Sequence, residues 1–341
     1  MARRRAYQAG NRPQQERVNT MIIDLEHHFR LAREGADSFV SRRWTEDGQV
    51  EYSQGNSGAD LADHLTFMDG AGIDMAVLSG NLGNAPLDTV RRWNDTCASA
   101  VNDYPDRFAG FACTHPLGGD PAFEELERAV KELGMKGVHI NARPGGLNLD
   151  SRELWPFYEK AAELGIPVDI HVETLPEGYD MLHAPWFLYY VIAREFDIMN
   201  QLFRICFGGV LEDFPDLKII VNHFGGGVAG VIERMDYYVE LFEDDVYREA
   251  PLISRPWRDY FDKLYFNMAG RGPGIGAIKC ALTCIAPDKL MFGSDWPPNF
   301  ESDAAGCKAY IEEIRALDLP EGDIEAMLGG NAARLLDIPM H

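Results

Sequence analysis

Eight short apolar runs, each followed by a longer amphipathic stretch, limit what this chain can fold into more than any other feature. The runs are Met21–Leu25, Ile73–Ser79, Phe108–Thr114, Met135–Ile140, Val168–His171, Ile219–His223, Leu264–Met268 and Leu290–Gly293. A strand covered on both faces reads as a near-continuous apolar run, and parallel strands of this kind are joined by right-handed crossovers, usually helices. The stretches between them carry a helical period: Asp88–Tyr104, Pro121–Leu133, Arg152–Leu164, and Trp186–Phe207, where Val191, Ile192, Phe196, Met199 and Phe203 fall in register. Gly134, Gly165 and Pro215 stand where such helices should stop. The alternation predicts either a closed (β/α)8 barrel or a doubly wound open sheet, and periodicity does not choose between them. A length of 341 residues suits one such domain.

Polar residues interrupt these runs at their C-terminal ends. Glu26 and His28 are two apart at the end of the first run, so both point to one side of the sheet. His171 ends the fifth, His223 the sixth, and Asp295 follows the eighth. Each alone has an ordinary reading, as a hydrogen-bonded packing histidine or a helix-capping aspartate. Together at the mouth of a barrel they are costly to bury unless an ion or a substrate pairs with them. In a closed barrel the eighth strand adjoins the first, so Glu26, His28, His171 and Asp295 can surround one divalent metal ion. The fourth strand offers His139 and Asn141 but no lysine to bridge two ions.

Charge and composition narrow the partners. Thirty-two Lys and Arg against 54 Asp and Glu give a net charge of −22, which repels phosphate backbones and anionic membrane surfaces. A small anionic substrate would need local capture by a cation or a metal. Six scattered cysteines, Cys280 and Cys284 among them, read as buried thiols of a reducing compartment, the cytoplasm. No apolar run approaches the roughly 20 residues of a membrane span. Residues 1–20, with Arg3, Arg4 and Arg5, read as an N-terminal arm, and residues 21–341 as the single barrel domain. Leu31–Gly58 and Glu173–Pro185 read as long loops at the mouth. His115 and His183 could line a pocket there, and Trp186, Trp296, Phe224 and Phe300 could wall it for an aromatic ligand.

The same residues resemble a known family. Glu26-x-His28, His171, Asn222-His223-Phe-Gly-Gly-Gly, Gly293-Ser-Asp295-Trp-Pro and Gly329-Gly-Asn-Ala-Ala-Arg-Leu-Leu336 are similar to the motifs of the amidohydrolase superfamily. More narrowly they resemble the branch of aminocarboxymuconate semialdehyde and resorcylate-type decarboxylases, which implies the barrel rather than the open sheet. Most of the superfamily has His-x-His on the first strand, whereas Leu25-Glu-His-His-Phe29 resembles the decarboxylases. Those enzymes commonly carry His-x-Gly-Glu after the sixth strand, and here the fourth place is Gly226, so the carboxylate that would orient His223 is missing.

The resemblance implies a metal-dependent decarboxylase of a small hydroxylated aromatic or unsaturated acid. In it Asp295 touches the metal and carries the proton delivered to carbon, while His223 holds the substrate oxygen. Arg234 is the candidate anion clamp, with an exposed ion pair as its ordinary alternative. The rival reading is a hydrolase of a lactone, ester or amide, using water acidified by the metal. A third is oxygen chemistry on iron or manganese. Zinc and manganese are the expected ions, with iron as a further candidate, and the resemblance implies a homodimer or larger assembly.

Overall fold

The structure is a computed structural model that describes residues 21–32, 38–44, 50–56, 58–172, 188–242, 252–268 and 274–340. All eight apolar runs form parallel strands. In chain order these are β1 (Ile23–His28), β4 (Met75–Ser79), β5 (Phe108–Cys113), β6 (Gly137–Asn141), β7 (Val168–His171), β8 (Ile219–Val221), β9 (Tyr265–Asn267) and β10 (Leu290–Met291). Each pairs with the next in that order. Backbone hydrogen bonds then join β1 to the segment after β10: Leu25 N–H to the Phe292 carbonyl (2.9 Å), Asp295 N–H to Glu26 (2.9 Å) and His28 N–H to Trp296 (2.8 Å). A sheet whose first and last strands bond is a barrel, which removes the open-sheet alternative.

A β-bulge in β1 decides which side chains enter the barrel. Asp24 is in register with Ala76 and His27 with Leu78, so two strand-one positions lie between partners that are two apart, 25 and 26 against 77 alone. Ile23 and Leu25 therefore pack inside with Met75, Val77, Phe111, Ile220 and Met291. Beyond the bulge the alternation is reset, so Glu26 and His28 also face inward while Asp24 and His27 face the helices. Unbroken alternation would have placed Glu26 and Leu25 on opposite faces.

The helices α1 (Leu61–Ala71), α2 (Leu87–Asp103), α3 (Gly119–Lys131), α4 (Trp155–Leu164) and α5 (Arg194–Phe207) cover the outside. Asp60 caps α1 by accepting from the Ala62 N–H at 2.9 Å, and Gly165 ends α4 at φ 68°. Close approach of α2 to the strands depends on Gly80, where a Cβ would lie 2.3 Å from the Trp93 ring. Among the described residues no helix is long and apolar enough to cross a membrane.

Two expectations are corrected. Leu31–Gly58 is not simply loop: it contains an antiparallel pair, β2 (Ser38–Trp44) and β3 (Val50–Gly55). The apolar stripe along the fourth helical stretch is buried only in part, where Met199 and Phe203 pack against the core. Val191 and Phe196 are exposed, while Ile198, Leu202, Ile205 and Cys206 are buried. A one-turn π-helix, Tyr189–Ala193, precedes α5 and shifts the register between the two stripes. Residues 1–20 and Glu173–Pro185, with His183, lie outside the described residues.

Candidate metal centre

The bulge of β1, the tip of β7 and the turn after β10 bring four ligands together. One ligand atom each from Glu26, His28, His171 and Asp295 lies within 4.8 Å of the others. His28 Nε2 is 2.9 Å from Asp295 Oδ1, and His171 Nε2 is 3.5 Å from Glu26 Oε1. Glycine at 293 admits β1, since a Cβ there would be 3.0 Å from Glu26 Cβ. Asp295 adopts a left-handed backbone (φ 51°) that turns its carboxylate back over the mouth, and the Asn299 amide holds the second oxygen at 2.9 Å. After β8, residues 223–227 all have positive φ. Glycine fills the last three, where a side chain would be strained. This run folds His223 back toward Glu26, with its N–H donated to Asn267 Oδ1 at 3.0 Å.

The electrostatics fit a cation. Burial pushes the Glu26 carboxyl above its usual range, while the nearby His223 and His28 pull the other way. Burial, reinforced by His28 and His139, holds His171 well below the usual histidine value. His171 is therefore a neutral ring. Its Nδ1–H donates to the Val172 carbonyl at 3.0 Å, which leaves the Nε2 lone pair facing Glu26. Glu26 Oε2 is buried without a hydrogen-bond partner. Two imidazole nitrogens and two carboxylates with one oxygen left over match the donor set of zinc, manganese or iron. The arrangement could hold one divalent metal ion.

His223 is brought to the same mouth, with Nε2 3.3 Å from Glu26 Oε1. The carboxylate that orients it comes from an unexpected place. Glu195 Oε1 on α5 lies 2.8 Å from His223 Nδ1. A Cβ at position 226 would fall 1.9 Å from the Glu195 carbonyl oxygen, so α5 occupies the space a glutamate there would need. Burial alone would push the His223 imidazole down, but Glu195 and Glu26 outweigh it and hold its pKa well above the ordinary value. Glu195 carries no local sequence signal, because a contact across 28 residues depends on how α5 packs.

Arg234 is exposed on the helix Ile232–Leu241, 5.1 Å above the Tyr238 ring. Phe224, Trp296 and Phe300 are buried in the main hydrophobic core, and Trp296 stacks on His27, on the outer face of β1, at 4.8 Å. Core packing, the ordinary role of large aromatics, accounts for these three. His115 accepts the Leu117 N–H at 3.1 Å and shapes a turn. Cys280 is exposed, whereas Cys97, Cys113, Cys206 and Cys307 are buried.

The amidohydrolase family profile matches residues 23–338. Gamma-resorcylate decarboxylase of a Polaromonas species is 30% identical over 302 residues, covering 82% of this chain and 88% of its own. The 2-amino-3-carboxymuconate-6-semialdehyde decarboxylase of Dictyostelium discoideum is 27% identical over 252 residues, 74% of this chain and 67% of its own. The crystal structure of a Polaromonas dihydroxybenzoic acid decarboxylase with bound manganese and the inhibitor 2-nitroresorcinol superposes with a TM-score of 0.72 at 25% identity, over 94% of this chain and 97% of that one. With the family profile covering residues 23–338 and these relatives matched over most of the chain, this chain belongs to the amidohydrolase family, in the branch that holds these decarboxylases.

Proposed function

We propose that this protein is a metal-dependent decarboxylase of a small hydroxylated aromatic acid, with His223 and Asp295 as its catalytic residues. The observation that carries the reading is the buried cluster of Glu26, His28, His171 and Asp295 beside a histidine already oriented by Glu195. Manganese is the favoured ion, since a decarboxylase of the same fold holds it, and zinc suits the same donors. A bound divalent ion would fix the substrate carboxylate and its neighbouring oxygen and take up negative charge developing there.

The protein's own groups do the rest. Glu195 fixes the ring of His223, so Nε2 can hold the substrate oxygen without a reorganisation cost. Asn299 restrains one oxygen of Asp295, and a proton held on that carboxyl is delivered to the ring carbon. The bond to the carboxylate then breaks, carbon dioxide leaves, and the electron pair stays on the ring. The buried walls of the barrel keep bulk water from these charges.

A homodimer or larger assembly belongs to this reading, supported by Val191, Phe196, Tyr237 and Leu241, which are apolar and exposed. Cytoplasmic residence is supported by the buried, unpaired thiols. The test is carbon dioxide release from a panel of hydroxybenzoates by the manganese-loaded protein. Release that stops with a chelator is expected. Hydrolysis of lactones, or oxygen uptake with ferrous iron, without release from any acid, would refute decarboxylation.

A further inference from the structure

The inward places of β9 change character along the strand. Tyr265 packs against the apolar cluster of Ile23, Leu25, Val77, Phe111 and Ile220 inside the barrel, as inward side chains of a barrel usually do. Two residues on, Asn267 takes the next inward place with a side chain wholly shielded from solvent. β8 and β9 pair Ile220 with Tyr265 and Val221 with Phe266, and one further step along that register sets Asn267 beside Asn222, the residue before His223.

Asn267 uses one end of its amide and leaves the other idle. Its Oδ1 accepts the His223 N–H at 3.0 Å, while its Nδ2 is buried without a partner. The amide cannot be turned round, because that would set two donors against each other. A buried amide with an unpaired end is less stable than an apolar side chain of the same shape. The compensation lies in what the one bond holds.

It holds a backbone that would relax unaided. His223 and Phe224 have φ of 55° and 54°, and among the described residues no other two successive non-glycine residues lie in the left-handed region. A Cβ makes that region costly, so such a turn persists only where neighbouring groups fix it. Gly225 donates its N–H to the Asn222 carbonyl at 3.0 Å, which closes the turn on itself, and Asn267 ties the first residue of the turn to the barrel. Glu195 grips only the ring of His223, at Nδ1. A ring held at one atom can swing about it. A ring held there and also through its own backbone keeps Nε2 in one place, 3.3 Å from Glu26 Oε1.

We propose that Asn267 is a positioning residue of the reaction: by accepting the His223 N–H it fixes the left-handed turn that aims Nε2 into the mouth. This rests on His223 holding the substrate oxygen. Glu195 and Asn267 then act on one histidine from two sides, the first on its ring and the second on its backbone.

The test measures kcat per bound manganese ion for wild type, Asn267→Ala, Asn267→Asp, His223→Ala and the Asn267→Ala/His223→Ala double variant. Residue-resolved hydrogen exchange of the His223 amide is measured beside it. Asn267→Ala should lower kcat about thirtyfold with KM within about threefold of wild type. Asn267→Asp, which keeps the accepting oxygen, should recover most of that loss. In the His223→Ala background the same alanine substitution should change kcat by less than about threefold, since nothing remains to be aimed. The wild-type His223 amide should exchange at least about a hundredfold more slowly than exposed amides, and Asn267→Ala should speed it about tenfold. If the alanine variant does not fold, the aspartate variant and the wild-type exchange carry the test.

An unchanged kcat in Asn267→Ala, or an unprotected His223 amide in wild type, overturns the proposal. So does a loss of equal size with and without His223, which is what a merely structural side chain gives. Protection that depends on Asn267 without carbon dioxide release from any acid would retain the anchor and refute decarboxylation. Release that depends on His223 and is indifferent to Asn267 would do the reverse.

Discussion

The two faces of β1 carry similar residues and put them to opposite use. On the outer face Asp24, His27, His64 and Ser294 form a closed chain. Asp24 Oδ1 accepts the Ser294 N–H at 2.7 Å, Asp24 Oδ2 pairs with His27 Nδ1 at 2.8 Å, and His27 Nε2 meets His64 Nδ1 at 2.9 Å. The far nitrogen of His64 donates to the Gly58 carbonyl at 3.1 Å. Each polar end in that chain has a partner. On the inner face Glu26 Oε2 and Asn222 Oδ1 have none. Buried acids and histidines are therefore not a sign of function by themselves. Atoms left without partners are, because they forgo stability that the outer face keeps.

That contrast can be broken first at the inner face. His171→Ala should lower kcat/KM by about a thousandfold, the several kcal/mol a cation supplies. The metal-free protein should lose no more than about 1 kcal/mol of stability in urea, since the ring removed is only weakly paired. Equal loss of stability and activity would mean the inner cluster is structural. Asp24→Ala should do the opposite, costing about 3 kcal/mol in the same denaturation series by leaving His27 buried without its carboxylate. The fraction that folds should still bind metal.

Smaller effects sharpen the boundary between the faces. Glu195→Gln should lower kcat about thirtyfold with little change in KM, as expected for a group that acts by orienting His223. An unchanged kcat would remove Glu195 from the reaction. Arg234→Ala should alter kcat/KM by less than about twofold, since its side chain is exposed and lies over the Tyr238 ring. A tenfold rise in KM would restore it as an anion clamp.

The sequence made some of this legible and hid the rest for definable reasons. The eight strands are legible because parallel strands covered on both faces leave unbroken apolar runs, and the clustered polar residues stand out because they end those runs. Glu26 and His28 do face the same side, yet the bulge that keeps Leu25 there too is a register fact between strands and leaves no mark in one strand's residues. Glu195 is not legible because its contact with His223 depends on tertiary packing. The core face of α5 is not legible because two apolar stripes overlap there and only packing decides which is more deeply buried.

If the inner face of the barrel mouth holds one divalent ion through Glu26, His28, His171 and Asp295, each of these side chains is needed to retain it. The most direct measurement is the metal content of protein purified with manganese, for wild type beside His171→Ala and Asp295→Asn. About one ion per chain in wild type and close to none in either variant is the predicted result. One ion per chain retained in both variants, or none in wild type, would contradict it.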